Sequence, residues 1–400
     1  MQDSQFSFER LIHPLSQVGF LQQYWQRQPL LIQRAEPRYY SQLLSGEDID
    51  SIVGFRQLKY SQLKLAKAVA GRQDQAFYAE ANSTSDTNQL FHSYAQGHTV
   101  VLNFAHCYWE PAARLCSALQ GFFHFPTGAN VYLTPRSAQG FAPHLDAHDV
   151  FVLQIEGAKT WRLYEAAERL GSAGENEAIA PELLGEPTRE IRLNAGDLLY
   201  LPAGCVHEAR TSDASSLHVS VGVRAYNWMD LFAELLTLAG RRDARLRAAL
   251  PPGFMTSPAA LAAIAEQLPE LLRALAFSGS VEHGVGRLQQ RLIETMLPLP
   301  TAQLRSLDQL DELTLETRVA KRTGMLCHVS RGAGSVELAF PGNRLTGPPE
   351  VEPAFRFMAN AQKPFPISAL PDVLSPASKL VLAKRAVKEG LLTVAMAASR

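Results

Sequence analysis

Cysteine is scarce in this chain: four in 400 residues (Cys107, Cys116, Cys205, Cys327), with no C-x-x-C pair. That spacing excludes a disulfide framework and a zinc ribbon as the organising feature. An excess of charge of one sign is also missing, since 38 Lys+Arg stand against 39 Asp+Glu for a formal net charge of -1. The chain-wide basic field of nucleic-acid binders is therefore absent. No apolar run approaches the roughly 18 residues that a membrane span needs. The opening Met1-Gln-Asp-Ser-Gln-Phe-Ser-Phe-Glu-Arg10 has no basic stretch followed by an apolar one, unlike a secretory signal. Apolar residues make up 46% and charged ones 19%, which excludes disordered and fibrous chains. At 400 residues the chain is too long for one ordinary domain. The expectation is a soluble, cytoplasmic, multidomain protein.

Three textures follow one another. Residues 1 to about 125 mix short amphipathic pieces (Gln17 to Trp25) with extended ones (Pro29 to Gln33) and a helical pattern at Glu110 to Leu119. From about 129 to 224 short strand-like runs are divided by Gly, Pro and Asp: Asn130–Thr134, Asp149–Ile155, Thr160–Tyr164, Glu190–Leu193, Asp197–Leu201 and Leu217–Val221. An acidic loop, Gly171 to Pro187, interrupts them. Many short strands with turn signals favour a sandwich, barrel or jelly roll over a parallel α/β sheet. After Trp228 the pattern is helical, with runs at Met229–Ala239, Leu261–Ala276 and Val285–Leu297, until Pro298 and Pro300 mark a boundary. A last region closes with the helical Ser375–Gly390 and the strand-like Leu391–Val394.

His144-Leu-Asp146 carries the sharpest chemistry. On a strand, residues two apart share a face, so both side chains would point inward. His207, in Leu201-Pro-Ala-Gly-Cys-Val-His207 after a strand and a Gly turn, is the best third ligand. Two imidazoles and one carboxylate on one side of a metal leave open positions opposite, an arrangement suited to non-haem Fe(II) holding a cosubstrate and O2 together. Alone, H-x-D is a weak signal, and a surface pair in a turn is the bland alternative. His148 competes as a ligand but is better placed lining the pocket. His218 is read either as a substrate or supporting residue or as a satisfied core histidine. The other histidines (His13, His92, His98, His106, His124, His283, His328) have no partner pattern. Lys159, in Gly157-Ala-Lys-Thr-Trp161, shares a strand face with Trp161 and Leu163, where a lone cation needs an anion unless it snorkels at an edge. A 2-oxo acid would supply both that anion and the two electrons that O2 activation needs.

Taken together, Asn130-Val-Tyr-Leu-Thr-Pro135 through His144-Leu-Asp146, Asp149 to Tyr164 and Gly196 to His207 resemble the ribosomal oxygenases, JmjC-type members of the cupin superfamily. Tyr24-Trp-Gln-Arg-Gln-Pro-Leu-Leu-Ile32 and Lys388-Glu-Gly-Leu-Leu-Thr-Val394 look like family features too, so the resemblance covers nearly the whole chain. It implies Fe(II) held by His144, Asp146 and His207, with 2-oxoglutarate as cosubstrate, its carboxylate on Lys159, and O2 as oxidant. Asn130 and Tyr132 match positions lining the cosubstrate pocket. Ser220, in Ser220-Val-Gly-Val223, stands in for a serine that the family carries late on the last core strand. A lysine at 159 is similar to the histidine-hydroxylating branch, where arginine-hydroxylating relatives carry arginine.

The implied architecture is a mainly β catalytic core, a double-stranded β-helix or jelly roll with flanking helices (residues 1–225). A helical dimerisation region (226–302) and a winged-helix-like α+β domain (303–400) follow. The implied activity is hydroxylation of a ribosomal protein side chain, His favoured and Arg possible, by a homodimer. A JmjC-type lysine demethylase or peptide-modifying hydroxylase would use the same iron site. A non-catalytic cupin-type binding protein with a DNA-binding tail is the third reading. Residues 301–400 carry 13 Lys+Arg against 9 Asp+Glu, and Lys379, Lys384, Arg385 and Lys388 read as a solvated helix face, so direct nucleic-acid binding is not expected. Arg241 to Arg247 reads the same way.

Overall fold

In the computed structural model, residues 6–56, 58–59, 61–69, 72–77, 84–165, 179, 184–278, 281–299 and 302–395 are described. Most of the acidic loop, and Pro300, lie outside them. Two compact units divide the chain, Met1–Ala225 and Tyr226–Arg400.

The first unit runs α1 (Phe8–Ile12), α2 (Gln17–Gln23), β1 (Leu30–Ile32), α3 (Gly46–Phe55), β2 (Leu63–Val69), β3 (Arg72–Phe77), α4 (Thr84–Ala95), β4 (Thr99–Leu102), α5 (Glu110–Phe123), β5 (Thr127–Thr134), β6 (Asp149–Tyr164), β7 (Arg189–Asn194), β8 (Leu198–Leu201), β9 (Val206–Arg210) and β10 (Ser216–Val223). The helices start where sequence chemistry allows. Ser16 and Ser45 accept the first free backbone N–H groups of α2 and α3, and Pro111 sits in the first turn of α5.

Strand order in the large sheet is β1-β8-β6-β10-β5-β4-β2-β3, antiparallel at each pairing. Asp149–Ile155 and Thr160–Tyr164, expected as separate strands, are one continuous β6. Its first half pairs with β8 and β10, and its second half pairs with β7 and β9. Gly157 makes the passage possible. It holds φ +64, a β carbon there would stand 1.8 Å from the Ser215 carbonyl oxygen, and the β6–β10 register shifts beside it.

Alternation along these strands sorts side chains into two cores. Phe151, Leu153 and Ile155 of β6 join Ala129, Val131, Val219 and Val221 in a cluster with the amino-terminal helices, where Phe8, Phe20 and Phe123 surround Phe151. Val150, Val152, Trp161 and Leu163 turn the other way and pack with Ile191, Leu193, Leu199 and Leu201. Polar residues of the site share this second face.

The second unit begins with α6 (Trp228–Arg242), α7 (Pro258–Ser278) and α8 (Val281–Thr295). Asn227 caps α6 reciprocally with Asp230. Helix α8 approaches α6 at Gly284, where a β carbon would stand 2.8 Å from Leu235, and Arg291 pairs with Asp230 at 2.9 Å. Then come α9 (Gln303–Asp308), β11 (Arg318–Lys321), β12 (His328–Arg331), β13 (Val336–Phe340), β14 (Asn343–Gly347), α10 (Glu352–Asn360), β15 (Phe365–Pro366), α11 (Pro376–Lys388) and β16 (Leu392–Val394). They form two three-stranded sheets, β15-β11-β16 and β12-β13-β14, around a core that includes Val319, Phe340, Phe355, Ala386 and Leu392. Among the described residues no helix is long and apolar enough to cross a membrane.

Candidate metal centre and acid pocket

His144 lies not within a regular strand, as alternation suggested, but on an extended segment joined to β9 by a single bridge. His144 and His207 exchange both backbone hydrogen bonds, at 3.0 and 2.9 Å. The Asp146 carbonyl accepts from Gly204 N–H at 2.8 Å, tying the far side of the H-x-D segment to the turn before β9. Those bonds take over the work expected of a strand. The irregular Pro143 and Gly204 neighbourhood explains why periodicity could not place it.

His144, Asp146 and His207 converge so that one ligand atom from each lies within 4.8 Å of the others. Ring centroids of the two histidines are 4.5 Å apart, and His207 Nε2 is 3.8 Å from Asp146 Oδ2. The Nδ1 atoms of His144 and His207 face the carbonyls of Ala142 and Cys205 at 2.8 and 2.9 Å. A carbonyl can only accept, so each Nδ1 carries the proton and each Nε2 offers a lone pair. Burial, reinforced by His144, pushes His207 down to about 4 and keeps it neutral, the state a metal requires. His148 stands apart from this trio. Its ring lies 2.5 Å from where a β carbon at residue 222 would be, so Gly222 makes room for it against β10.

Lys159 is 5% exposed. Its ammonium donates to Thr134 Oγ1 at 3.0 Å, and burial lowers it to about 7. The snorkelling alternative is thereby excluded. Thr134, which sequence reading passed over, was two residues along β5 from Tyr132 and thus on the same face. Tyr132 stacks on His218 with centroids 4.8 Å apart and planes 7° from parallel; burial pushes its hydroxyl up to about 12. Asn130 Oδ1 accepts from Phe104 N–H at 2.9 Å, fastening the left-handed turn there. Ser220 on β10 is half-buried, in register with Asn130 of β5 and Val152 of β6.

This arrangement can hold one divalent metal on a single face and one anion at the buried amine. Residues 104–231 match the JmjC domain family. The bifunctional lysine-specific demethylase and histidyl-hydroxylase NO66 of Aedes aegypti is 37% identical over 253 residues, 61% of this chain and 39% of that protein. Ribosomal oxygenase 2 of Bos taurus is 31% identical over 280 residues, 67% of this chain and 59% of that protein. The chain thus spans less than two thirds of the length of these curated relatives. In fold it is similar to YcfD, a ribosomal oxygenase from Escherichia coli solved with cobalt and 2-oxoglutarate, at a TM-score of 0.56 and 18% identity over 95% of this chain and 98% of that one.

Proposed function

The chain belongs to the ribosomal oxygenases, a family of JmjC-domain proteins, and from that membership we propose that it is a 2-oxoglutarate- and Fe(II)-dependent dioxygenase that hydroxylates a side chain of a ribosomal protein, histidine by preference. One observation carries the reading: a two-histidine, one-carboxylate cluster beside a buried lysine whose partner among the described residues is a hydroxyl, with no carboxylate paired to it there. That donor set fits a ferrous ion, and the desolvated amine fits the far carboxylate of a dicarboxylic keto acid.

His144 and His207 would give their Nε2 atoms and Asp146 its carboxylate to the metal. When bound, iron and 2-oxoglutarate supply the oxidising chemistry, decarboxylation of the keto acid to succinate providing the electrons that activate O2. The rest is the protein's work. Lys159, with Thr134 beside it, anchors the acid and sets its reach toward the triad. Tyr132, Asn130 and Ser220 line that reach, and Val150, Val152, Leu199 and Leu201 exclude water from one side. Lysine at position 159, together with the histidyl-hydroxylase named in the Aedes relative, supports histidine as the target.

The same relative's name supports lysine demethylation as the second reading, since both reactions begin with oxygen insertion at a C–H bond. A DNA-binding tail has less support. Of its basic residues, Lys379 is buried and paired with Asp372 at 2.6 Å, and Arg385 donates to the Thr346 carbonyl. In the Arg241–Arg247 cluster, Arg245 is likewise engaged by Asp243 and Glu270, each at 2.7 Å. We further assign residues 226–302 to dimerisation and 303–400 to a winged-helix-like domain that packs or docks peptide, in a protein of the cytoplasm. The test is intact-mass measurement of ribosomal proteins from cells with and without this gene. One protein heavier by a single oxygen atom is expected; the absence of any difference would remove the ribosomal substrate.

A further inference from the structure

Near Lys159 stand two buried polar side chains that the dioxygenase reading leaves unused. His218 is 2% exposed, and among the described residues its Nδ1 has no hydrogen-bond partner. Trp161 is 5% exposed, and among the same described residues its Nε1 has none either. Buried polar atoms are ordinarily satisfied, because each one left bare forfeits its hydration. These two stand on one wall: the Trp161 and His218 rings are 5.6 Å apart and nearly perpendicular, with Trp161 two residues along β6 from Lys159. The parallel stack on Tyr132 holds the imidazole plane, and β10 pairing on both sides holds its backbone. Burial, with Lys159 adding to it, pushes the imidazole toward its neutral form, which keeps a single ring proton to donate. Gln154, its neighbour in register on β6, uses its amide nitrogen on the Glu156 carbonyl and Ser216 and leaves its Oε1 unpaired, so a water bridging Gln154 and His218 is the competing occupant.

We propose that His218 donates from Nδ1 to the same far carboxylate that Lys159 binds, so that this chain reads the end of its keto acid with an imidazole as well as an ammonium. The inference rests on the dioxygenase reading of the site and deepens it. The full-length protein is loaded with Mn(II), which holds the acid without turnover, and binding is followed by tryptophan fluorescence and calorimetry. Two acids are compared: 2-oxoglutarate, and 2-oxopentanoate, which has the same chain length but lacks the far carboxylate.

His218→Leu is expected to weaken 2-oxoglutarate about tenfold, the factor that one charge-assisted hydrogen bond commonly represents, with 2-oxopentanoate unaffected. His218→Asn, whose amide nitrogen can occupy the Nδ1 position, should restore most of the affinity. Equal weakening of both acids, or no rescue by asparagine in a variant that melts like the parent, would overturn the assignment and leave His218 to packing or to the bridging water. A parent protein that binds Mn(II) but neither acid would instead overturn the dioxygenase reading itself.

Discussion

Each residue of the site has a separable duty, and substitution should separate them. Asp146→Ala and His207→Ala remove a ligand atom, so metal affinity should fall by at least about 100-fold, more than loss of a supporting contact costs, with no turnover; metal content by atomic absorption checks it. Lys159→Met should leave metal binding intact and weaken 2-oxoglutarate by about 10- to 100-fold, the range of a hydrogen bond between charged groups. Calorimetry on Mn(II)-loaded protein reads that directly. A pH dependence follows with a definite sign. Burial holds the Lys159 amine near 7, with His218 and Thr134 facing it. Below that pH the amine is already cationic and ready for the acid; above it, binding must first restore a proton. Affinity for 2-oxoglutarate should therefore decline as pH rises above 7, by up to about tenfold per unit, and Lys159→Arg should abolish that slope.

Among the elements, β6 and β9 do most to assemble the site. Phe151 is fully buried among four aromatic rings, and Phe151→Ala should cost about 3–5 kcal/mol in urea unfolding. Gly157→Ala places a β carbon on the Ser215 carbonyl at a left-handed φ, so a loss of at least about 2 kcal/mol is expected in the same assay. Much of this architecture was legible. Asp149-Val-Phe-Val-Leu-Gln-Ile155 is apolar at nearly every position because β6 is covered on both faces, and β-branched enrichment marks it as a strand. Its continuity through Gly157 was not legible, since a glycine between two strand patterns reads as a turn until a partner strand is seen beside it. A strand at His207 was expected, but not the extent of β9: Val-His-Glu-Ala-Arg is short and charged, and its pairing with β6 fixes its bounds. His144 and Asp146 were found by residue type, while the backbone exchange with His207 that brings them together leaves no trace in spacing. Thr134 was within reach of alternation alone.

For the whole molecule, the second unit presents an apolar stripe that a lone copy would leave in water. Trp228, Met229, Phe232 and Leu236 of α6 are all at least 49% exposed, although the helix is capped and tied to α8 by Arg291. A second copy is the expected cover. Light scattering at micromolar concentration should give twice the mass of 44.0 kDa, and joint Trp228→Glu and Phe232→Glu should reduce it to one copy without lowering the melting temperature; a single-copy mass for the parent would refute the dimer. The unbroken passage of β6 from its β8 and β10 partners to its β7 and β9 partners has a last consequence. Lys159 stands on the part of that ribbon that pairs with β7 and β9, so one additional residue between Gly157 and Lys159 would turn the lysine to the opposite face. Such a slip would carry the lysine to the place that Thr160 now holds. A protein so altered would keep its triad yet face its cosubstrate with no cation within.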